Sequence, residues 1–420
     1  MTDIKVLAQN SILESGLPDE EIDELYAAWE EQWEAYITKW FQKSKEADVP
    51  ALSAHTILQR PFAQTPKKVI FDTDMGYIND DAVAMIMLAQ ADKKGDLDLL
   101  GVTTVGGNVY AAPATTATLR QLELIDRTDI PVYEGTDVPL NGFLDMKAAE
   151  KIFGAPDWAG AYWDFNTNDY SDNDSRPTNY MDLGYEPTYG YPQTPVQEQK
   201  AWDFMIEQVH KYPGEVTIMA VGAATNVAIA IREDPTFVED AAGIIYMGGD
   251  IDIPGNATPT AEFNWFYDPT AIKTCLAAEW KSQIVVPDDL ARQCSMDAEI
   301  FERIRATGSE SKATQLILEK EKSFDPIQIN YVWDMVVPAV FLKPELVTDL
   351  QTRYLTVDDY PGVNYGRAVS WGQNRHNNLE TGEGMPDGVQ PVQIVMSIDE
   401  KMFWDYYIEI LTWEPADQAQ

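Results

Sequence analysis

The chain has 420 residues, 45 % of them hydrophobic, and 69 Asp plus Glu against 30 Lys plus Arg give it a formal charge of −39. That apolar content suits a large folded core and excludes a disordered chain. A field of this sign repels nucleic acid and anionic membranes and disfavours polyanionic substrates without a metal, while neutral substrates are unaffected. Solubility alone is the commoner use of such charge. Two cysteines, Cys275 and Cys294, imply no disulfide framework, although one bridge is compatible with them. Three widely separated histidines, His55, His210 and His376, argue against a His-rich zinc site or His-based catalysis. No run of 18 apolar residues exists, and Met1-Thr2-Asp3-Ile4-Lys5 does not open a secretory leader. The expectation is a soluble protein, cytoplasmic by default, or secreted if a leader has been removed. Asn173-Asp174-Ser175 and Asn256-Ala257-Thr258 match the glycosylation pattern, which is weak support for secretion.

Residues 1–65 read as an N-terminal helical extension. From Pro18 to about Ala47, Ile22, Leu25, Tyr26, Trp29, Trp33, Tyr36, Ile37, Trp40 and Phe41 form one helical stripe, with Asp19, Glu20 and Glu21 in its first turn. Such a stripe packs on the main domain or on a partner subunit; its polar face is acidic, whereas a membrane-surface helix needs a basic one.

Residues 66–420 read as one α/β domain. Val69-Ile70-Phe71 is a short apolar run suited to a covered strand, and four carboxylates follow within ten residues: Asp72, Asp74, Asp80 and Asp81. Asn79 or Asp80 can cap the next helix, where Ala82, Met85, Ile86 and Ala89 recur at helical spacing. Carboxylates at the C-terminal end of a parallel strand lie where α/β folds place their ligands. Crowding and burial raise their pKa values, and a hard cation with oxygen ligands relieves that conflict. A solvated acidic turn is the plainer alternative.

Further strands are expected at Leu97–Thr104, Ile130–Tyr133, Val216–Ala220, Gly243–Met247 and Gln283–Pro287, with helices at Ala111–Asp126, Val196–Lys211 and Asp268–Glu279. This alternation predicts an open, mostly parallel β-sheet covered by helices. Residues 141–195 break the rhythm with Trp158, Tyr162, Trp163 and other aromatics among Asn, Asp, Gly and Pro, which suits a lid or binding loop, or a surface excursion packed on itself.

Three polar turns close expected strands: Thr103-Thr104-Val105-Gly106-Gly107-Asn108, Val221-Gly222-Ala223-Ala224-Thr225-Asn226, and Met247-Gly248-Gly249 leading to Asn256 and Ala261-Glu262-Phe263-Asn264. Each alone is weak, because Gly and Asn tolerate φ > 0 in many turns. Together they gather amides and a carboxylate that can bond several hydroxyls of a sugar at once.

With these motifs in one order over residues 66–345, and more loosely to about 412, the chain resembles the nucleoside hydrolases, the inosine–uridine-type N-ribohydrolases. The resemblance implies an open α/β fold and a Ca²⁺ ion held by Asp74, Asp81, Asp334 and the backbone carbonyl of Val221. It makes Asp74 the general base. Asp80, Asn108, Asn256, Glu262, Asn264 and Asp334 are implied at the ribose, with Asp72 and Asn108 supporting the cluster. Tyr77-Ile78-Asn79 contains an apparent two-residue insertion relative to the usual spacing. The residue before Asp334 is Trp333, where non-specific members carry a histidine. That tryptophan resembles the purine-preferring branch, with Trp158 or Trp163 expected as a second stacking ring.

The resulting expectation is hydrolysis of purine ribonucleosides to base and ribose by a homodimer or homotetramer acting on small molecules. Broad or non-purine nucleoside specificity, a non-catalytic nucleoside- or sugar-binding protein, and an aspartate-based phosphohydrolase are the alternatives.

Overall fold

A computed structural model of the chain describes residues 67–77, 79–321 and 330–415. The extension expected over residues 1–65 lies outside these. Nine strands form one sheet: β1 (Lys67–Thr73), β2 (Leu97–Thr104), β3 (Val132–Glu134), β4 (Val216–Ala220), β5 (Gly243–Met247), β6 (Gln283–Val286), β7 (Val347–Val357), β8 (Ala368–Trp371) and β9 (Gln390–Ile398). Their order is β8-β7-β9-β6-β5-β4-β1-β2-β3. All run parallel except β7, which is antiparallel to β8 and β9. β4, β5 and β6 are buried along their whole length, as their mostly apolar sequences favour in strands covered on both faces.

The principal helices are α1 (Asp80–Lys94), α2 (Ala111–Leu124), α3 (Ala201–Lys211), α4 (Thr225–Glu233), α5 (Pro269–Leu276), α6 (Lys312–Lys320), α7 (Val336–Leu342) and α8 (Glu400–Leu411). Asn79 caps α1 by accepting from the Ala82 N–H, and Gly95 ends it in the left-handed conformation at φ 85°. The four-residue stripe expected on α1 understates its burial. Every residue from Asp81 to Ala91 is buried, because α6, α7 and α8 pack around it beside the sheet. The helix expected from Asp268 begins one residue later and follows a short helix, Phe263–Tyr267. Asp268 is its cap and Pro269 its first residue, a position where the missing proline N–H costs nothing.

Strand order reverses between β1 and β4, which places a crevice at the C-terminal ends of the two strands. The aromatic segment 141–195 is partly ordered around that end of the sheet. It contains a helix, Met146–Phe153, and a ribbon pairing Trp163–Asp164 with Asp169–Tyr170. Its Tyr162 is buried in a cluster with Tyr110, Phe263, Phe266 and Tyr267. No helix among the described residues is long and apolar enough to cross a membrane.

Candidate active site

The site begins where β1 ends. Asp72 is fully buried, and its Oδ1 accepts from Thr103 Oγ1 at 2.6 Å and Asn226 Nδ2 at 2.8 Å. Burial outweighs these bonds and pushes its carboxyl up to about 6. Asn226, in the first turn of α4, also donates to the Thr104 carbonyl at 3.0 Å and accepts from the Thr136 N–H at 3.2 Å. One side chain thus ties β1, β2 and the turn after β3 together. Ala224, just ahead of α4, holds φ at 55°, an uncommon conformation for a residue with a Cβ.

Asp74 and Asp81 are fully buried as well. Asp74 Oδ2 accepts the Asn108 N–H at 2.5 Å, and its Oδ1 lies 3.3 Å from Asn108 Nδ2. A Cβ on Gly107 would overlap the Asp74 carboxylate, so the Gly106-Gly107-Asn108 turn reaches Asp74 only because that residue is glycine. Asp81 accepts from Thr73 Oγ1 at 2.5 Å and Asn79 Nδ2 at 2.8 Å. Asp334, just ahead of α7, comes from far along the chain to join them. Single carboxylate oxygens of Asp80, Asp81 and Asp334 lie within 4.8 Å of one another.

Burial, followed by the charge of Asp81, raises the Asp74 carboxyl well above its usual range. Asp334 is raised by burial and then by Asp81, Asp80 and Asp74, and Asp81 is pushed up to about 6, mainly by burial. A group of oxygen donors this crowded and desolvated suits a hard cation.

Just past the C-terminal end of β5, Glu262 is buried and accepts from the N–H groups of Gly249, Asn264 and Trp265 at 2.9, 2.8 and 3.2 Å. Burial still lifts it to about 7. Asn256 Oδ1 accepts from the Phe263 N–H at 2.8 Å, and Asn264 Nδ2 donates to the Val221 carbonyl at 2.8 Å. The Val221 carbonyl expected as a metal ligand therefore has an amide partner here.

The three tryptophans occupy different settings. Trp158 donates its indole N–H to Asn108 Oδ1 at 2.8 Å, which joins the aromatic segment to the partner of Asp74. Trp333 donates to Asp288 Oδ1 at 2.7 Å and meets the Tyr331 ring edge-on. Trp163 packs edge-on against Tyr170 in the ribbon.

Sequence reasoning missed several groups. Lys320, at the end of α6, feels the charges of Asp80, Asp334 and Asp81, which oppose the lowering of its ammonium pKa by burial. Asp250 follows Met247-Gly248-Gly249 and is pushed up to about 10, chiefly by burial and then by Glu262 and Asp288. Asp288 is fully buried and paired with Arg292 at 2.6 Å. Its signal was present: Asp288-Asp289 follows an apolar strand just as Asp72 and Asp74 do. Nothing local marks Lys320, whose neighbours at the site come from distant segments.

The family model described as inosine-uridine preferring nucleoside hydrolase matches residues 69–405. The chain belongs to that family. It is 35 % identical over 205 residues to probable uridine nucleosidase 2 of Arabidopsis thaliana, a match covering 49 % of this chain and about half (54 %) of that relative. It is 31 % identical over 314 residues to the pyrimidine-specific ribonucleoside hydrolase RihA of Citrobacter koseri, covering 72 % of this chain and 87 % of that one. Among solved structures, a plant nucleoside hydrolase, the PpNRh1 enzyme, superposes with a TM-score of 0.64 at 27 % identity over 83 % of this chain and 100 % of that one. A purine-preferring ribonucleoside hydrolase from Gardnerella vaginalis gives 0.62 at 20 % identity over 82 % and 98 %, a likeness of fold alone. The open, mainly parallel sheet expected from the sequence is the fold these nucleoside hydrolases share.

Proposed function

We propose that the protein hydrolyses the N-glycosidic bond of ribonucleosides to free base and ribose, with purine ribonucleosides preferred. The observation that carries this reading is the convergence of Asp74, Asp80, Asp81 and Asp334 at the C-terminal end of β1, with Asn264 bonded to the Val221 carbonyl at the end of the neighbouring β4. Family membership supports the same reaction class.

Mutually repelling, buried oxygen donors fit a hard divalent cation such as Ca²⁺. Asp81 and Asp334 would hold it, with Asp74 and the Val221 carbonyl completing the set implied by the family resemblance and Asp80 offering one more oxygen. Once bound, such an ion supplies positive charge that neutralises the carboxylates and acidifies nearby water. Asp74, fixed by Asn108, takes a proton from the attacking water as its oxygen bonds to C1′. The C1′–N bond breaks with its electron pair leaving on the base, which gains a proton. Asn256, Glu262 and Asn264 bind the ribose hydroxyls and favour the cationic sugar in the transition state.

Purine preference rests on Trp333 beside Asp334, since a base stacked on an aromatic ring gains roughly 1–3 kcal/mol. Trp158, tied to Asn108, is the better placed second ring. The names of the relatives favour a second reading, in which uridine is the better substrate.

Turnover of inosine, adenosine, guanosine and uridine, followed as free base and reducing sugar with and without a calcium chelator, tests both. Phosphate-independent cleavage that chelation abolishes is expected, faster for purines; faster uridine cleavage would select the second reading, and no cleavage would overturn the reaction. Two or four copies per particle are expected by light scattering.

A further inference from the structure

The chemistry above gives Asp288 no part, yet this carboxylate holds one of the rings that chemistry uses. Asp288 opens a short helix, Asp288–Ala291, just past the end of β6, and is fully buried. Its Oδ1 accepts the Trp333 indole N–H at 2.7 Å, and its Oδ2 accepts from Arg292 Nε at 2.8 Å and pairs with Nη2 at 2.6 Å. Sealed from solvent, this carboxylate does not itself reach a bound molecule, so its effect on one passes through Trp333.

Backbone bonds fix where Asp288 stands. Its N–H donates to the Gly249 carbonyl at 3.0 Å, while the Gly249 N–H donates to Glu262 Oε2 at 2.9 Å. A single residue of the turn after β5 therefore locates both the anchor of Trp333 and Glu262, the carboxylate proposed at the ribose. Asp250, 4 % exposed, has no hydrogen-bond partner on either oxygen among the described residues and does not compete for the anchor. Arg292 Nη2 is 3.8 Å from it, too far for a hydrogen bond. Burial, followed by the charges of Glu262 and Asp288, pushes its carboxyl up to about 10, so it is neutral at neutral pH.

Trp333 itself is half-buried. Its N–H is tied to a carboxylate, and the Tyr331 ring meets it edge-on at 5.7 Å between centroids. A ring held in this way loses little freedom when another ring stacks on it, whereas a free one must be ordered at the moment of binding.

We propose that Asp288 is a positioning residue for base recognition, fixing the Trp333 indole in the orientation that stacks on a purine. This role rests on the reading of Trp333 as a base-stacking ring.

The test compares kcat and KM for inosine and uridine in the full chain and in Asp288→Leu, Asp288→Asn, Trp333→Ala and the Asp288→Leu/Trp333→Ala double variant, with circular dichroism checking each fold. Asp288→Leu is expected to lower the inosine-to-uridine ratio of kcat/KM at least about fivefold, chiefly by raising KM for inosine. Asp288→Asn keeps an oxygen for the indole N–H and should recover part of the loss. The double variant should discriminate no worse than Trp333→Ala, since the two residues act as one unit. Spectra of the ¹⁵N-tryptophan-labelled chain supply a readout without turnover: the indole N–H resonance missing from Trp333→Ala should move upfield in Asp288→Leu. Losses that multiply in the double variant, an unmoved resonance, or an unchanged ratio in Asp288→Leu beside a changed one in Trp333→Ala would each overturn the positioning role and leave the stacking reading standing. An unchanged ratio in Trp333→Ala would instead remove the stacking reading and this role with it, and a wild type that cleaves neither nucleoside would remove the reaction as well. If the leucine variant does not fold, Asp288→Ala repeats the comparison.

Discussion

Replacing Asn226 by alanine probes how the crevice is held together. The fully buried amide donates to Asp72 Oδ1 and the Thr104 carbonyl, both in buried surroundings, and accepts from the half-buried Thr136 N–H. Two of these bonds are neutral and contribute about 1 kcal/mol each; the bond to the carboxylate contributes roughly 1.5–3 kcal/mol. The variant should therefore lose about 4 kcal/mol, since water has little access to the three groups left behind. The penalty should also depend on pH. Because the Asp72 pKa is raised to about 6 in the folded protein, stability linked to its protonation is full below the unfolded value near 3.8 and fades as pH rises through 6. Removing a donor to the ionised form raises that pKa further, so the loss should be larger at pH 7.5 than at pH 5. Urea unfolding followed by tryptophan fluorescence at both values measures it. A loss below about 1 kcal/mol, or one larger at pH 5, would refute the view that Asn226 braces an ionisable Asp72.

Three further outcomes are expected. Asp74→Asn should lower kcat on nucleosides by at least about 10²-fold in steady-state assays while leaving the fold intact. Trp333→Ala should slow purine nucleosides more than pyrimidine ones, as comparison of kcat/KM values would show, because the lost stacking matters more for the larger ring. Chelation should lower the melting temperature by several degrees at pH 7.5 and by less at pH 5 in calorimetric scans, since protonation of Asp81, whose pKa is about 6, weakens cation binding in acid. Equal shifts at both values would argue against the carboxylates as the ligands.

Much of this architecture was legible because each strand of the crevice ends in a polar signature. Val69–Phe71 and Val216–Ala220 are largely apolar runs followed by Asp72 and by the turn that leads to Asn226, and both became central strands, with Asp72 near the end of β1 and Asn226 in the first turn of the helix after β4. The C-terminal strands β7 and β9 were not anticipated. Thr348, Asp349, Gln351 and Arg353 interrupt β7 with polar residues, since that strand is only half covered near the sheet edge. Spatial neighbours were harder still. That Trp333 would spend its N–H on Asp288, or that Lys320 would lie within the field of Asp80 and Asp334, depends on where loops bring α6 and α7. Periodicity carries no information about such tertiary placement.

The acidic cluster draws its members from both ends of the domain: Asp74, Asp80 and Asp81 from its first strand and helix, Asp334 from just ahead of α7. During synthesis the first three emerge long before the fourth. Until the later segment docks, the early carboxylates lack one of their neighbours, and their mutual repulsion is milder than in the finished protein. Completion of the proposed cation pocket thus coincides with docking of the domain's late helices. A chain truncated before residue 334 would carry most of the proposed ligands and none of the finished cage, so metal affinity, under the proposed function, would double as a report on whether the domain has closed.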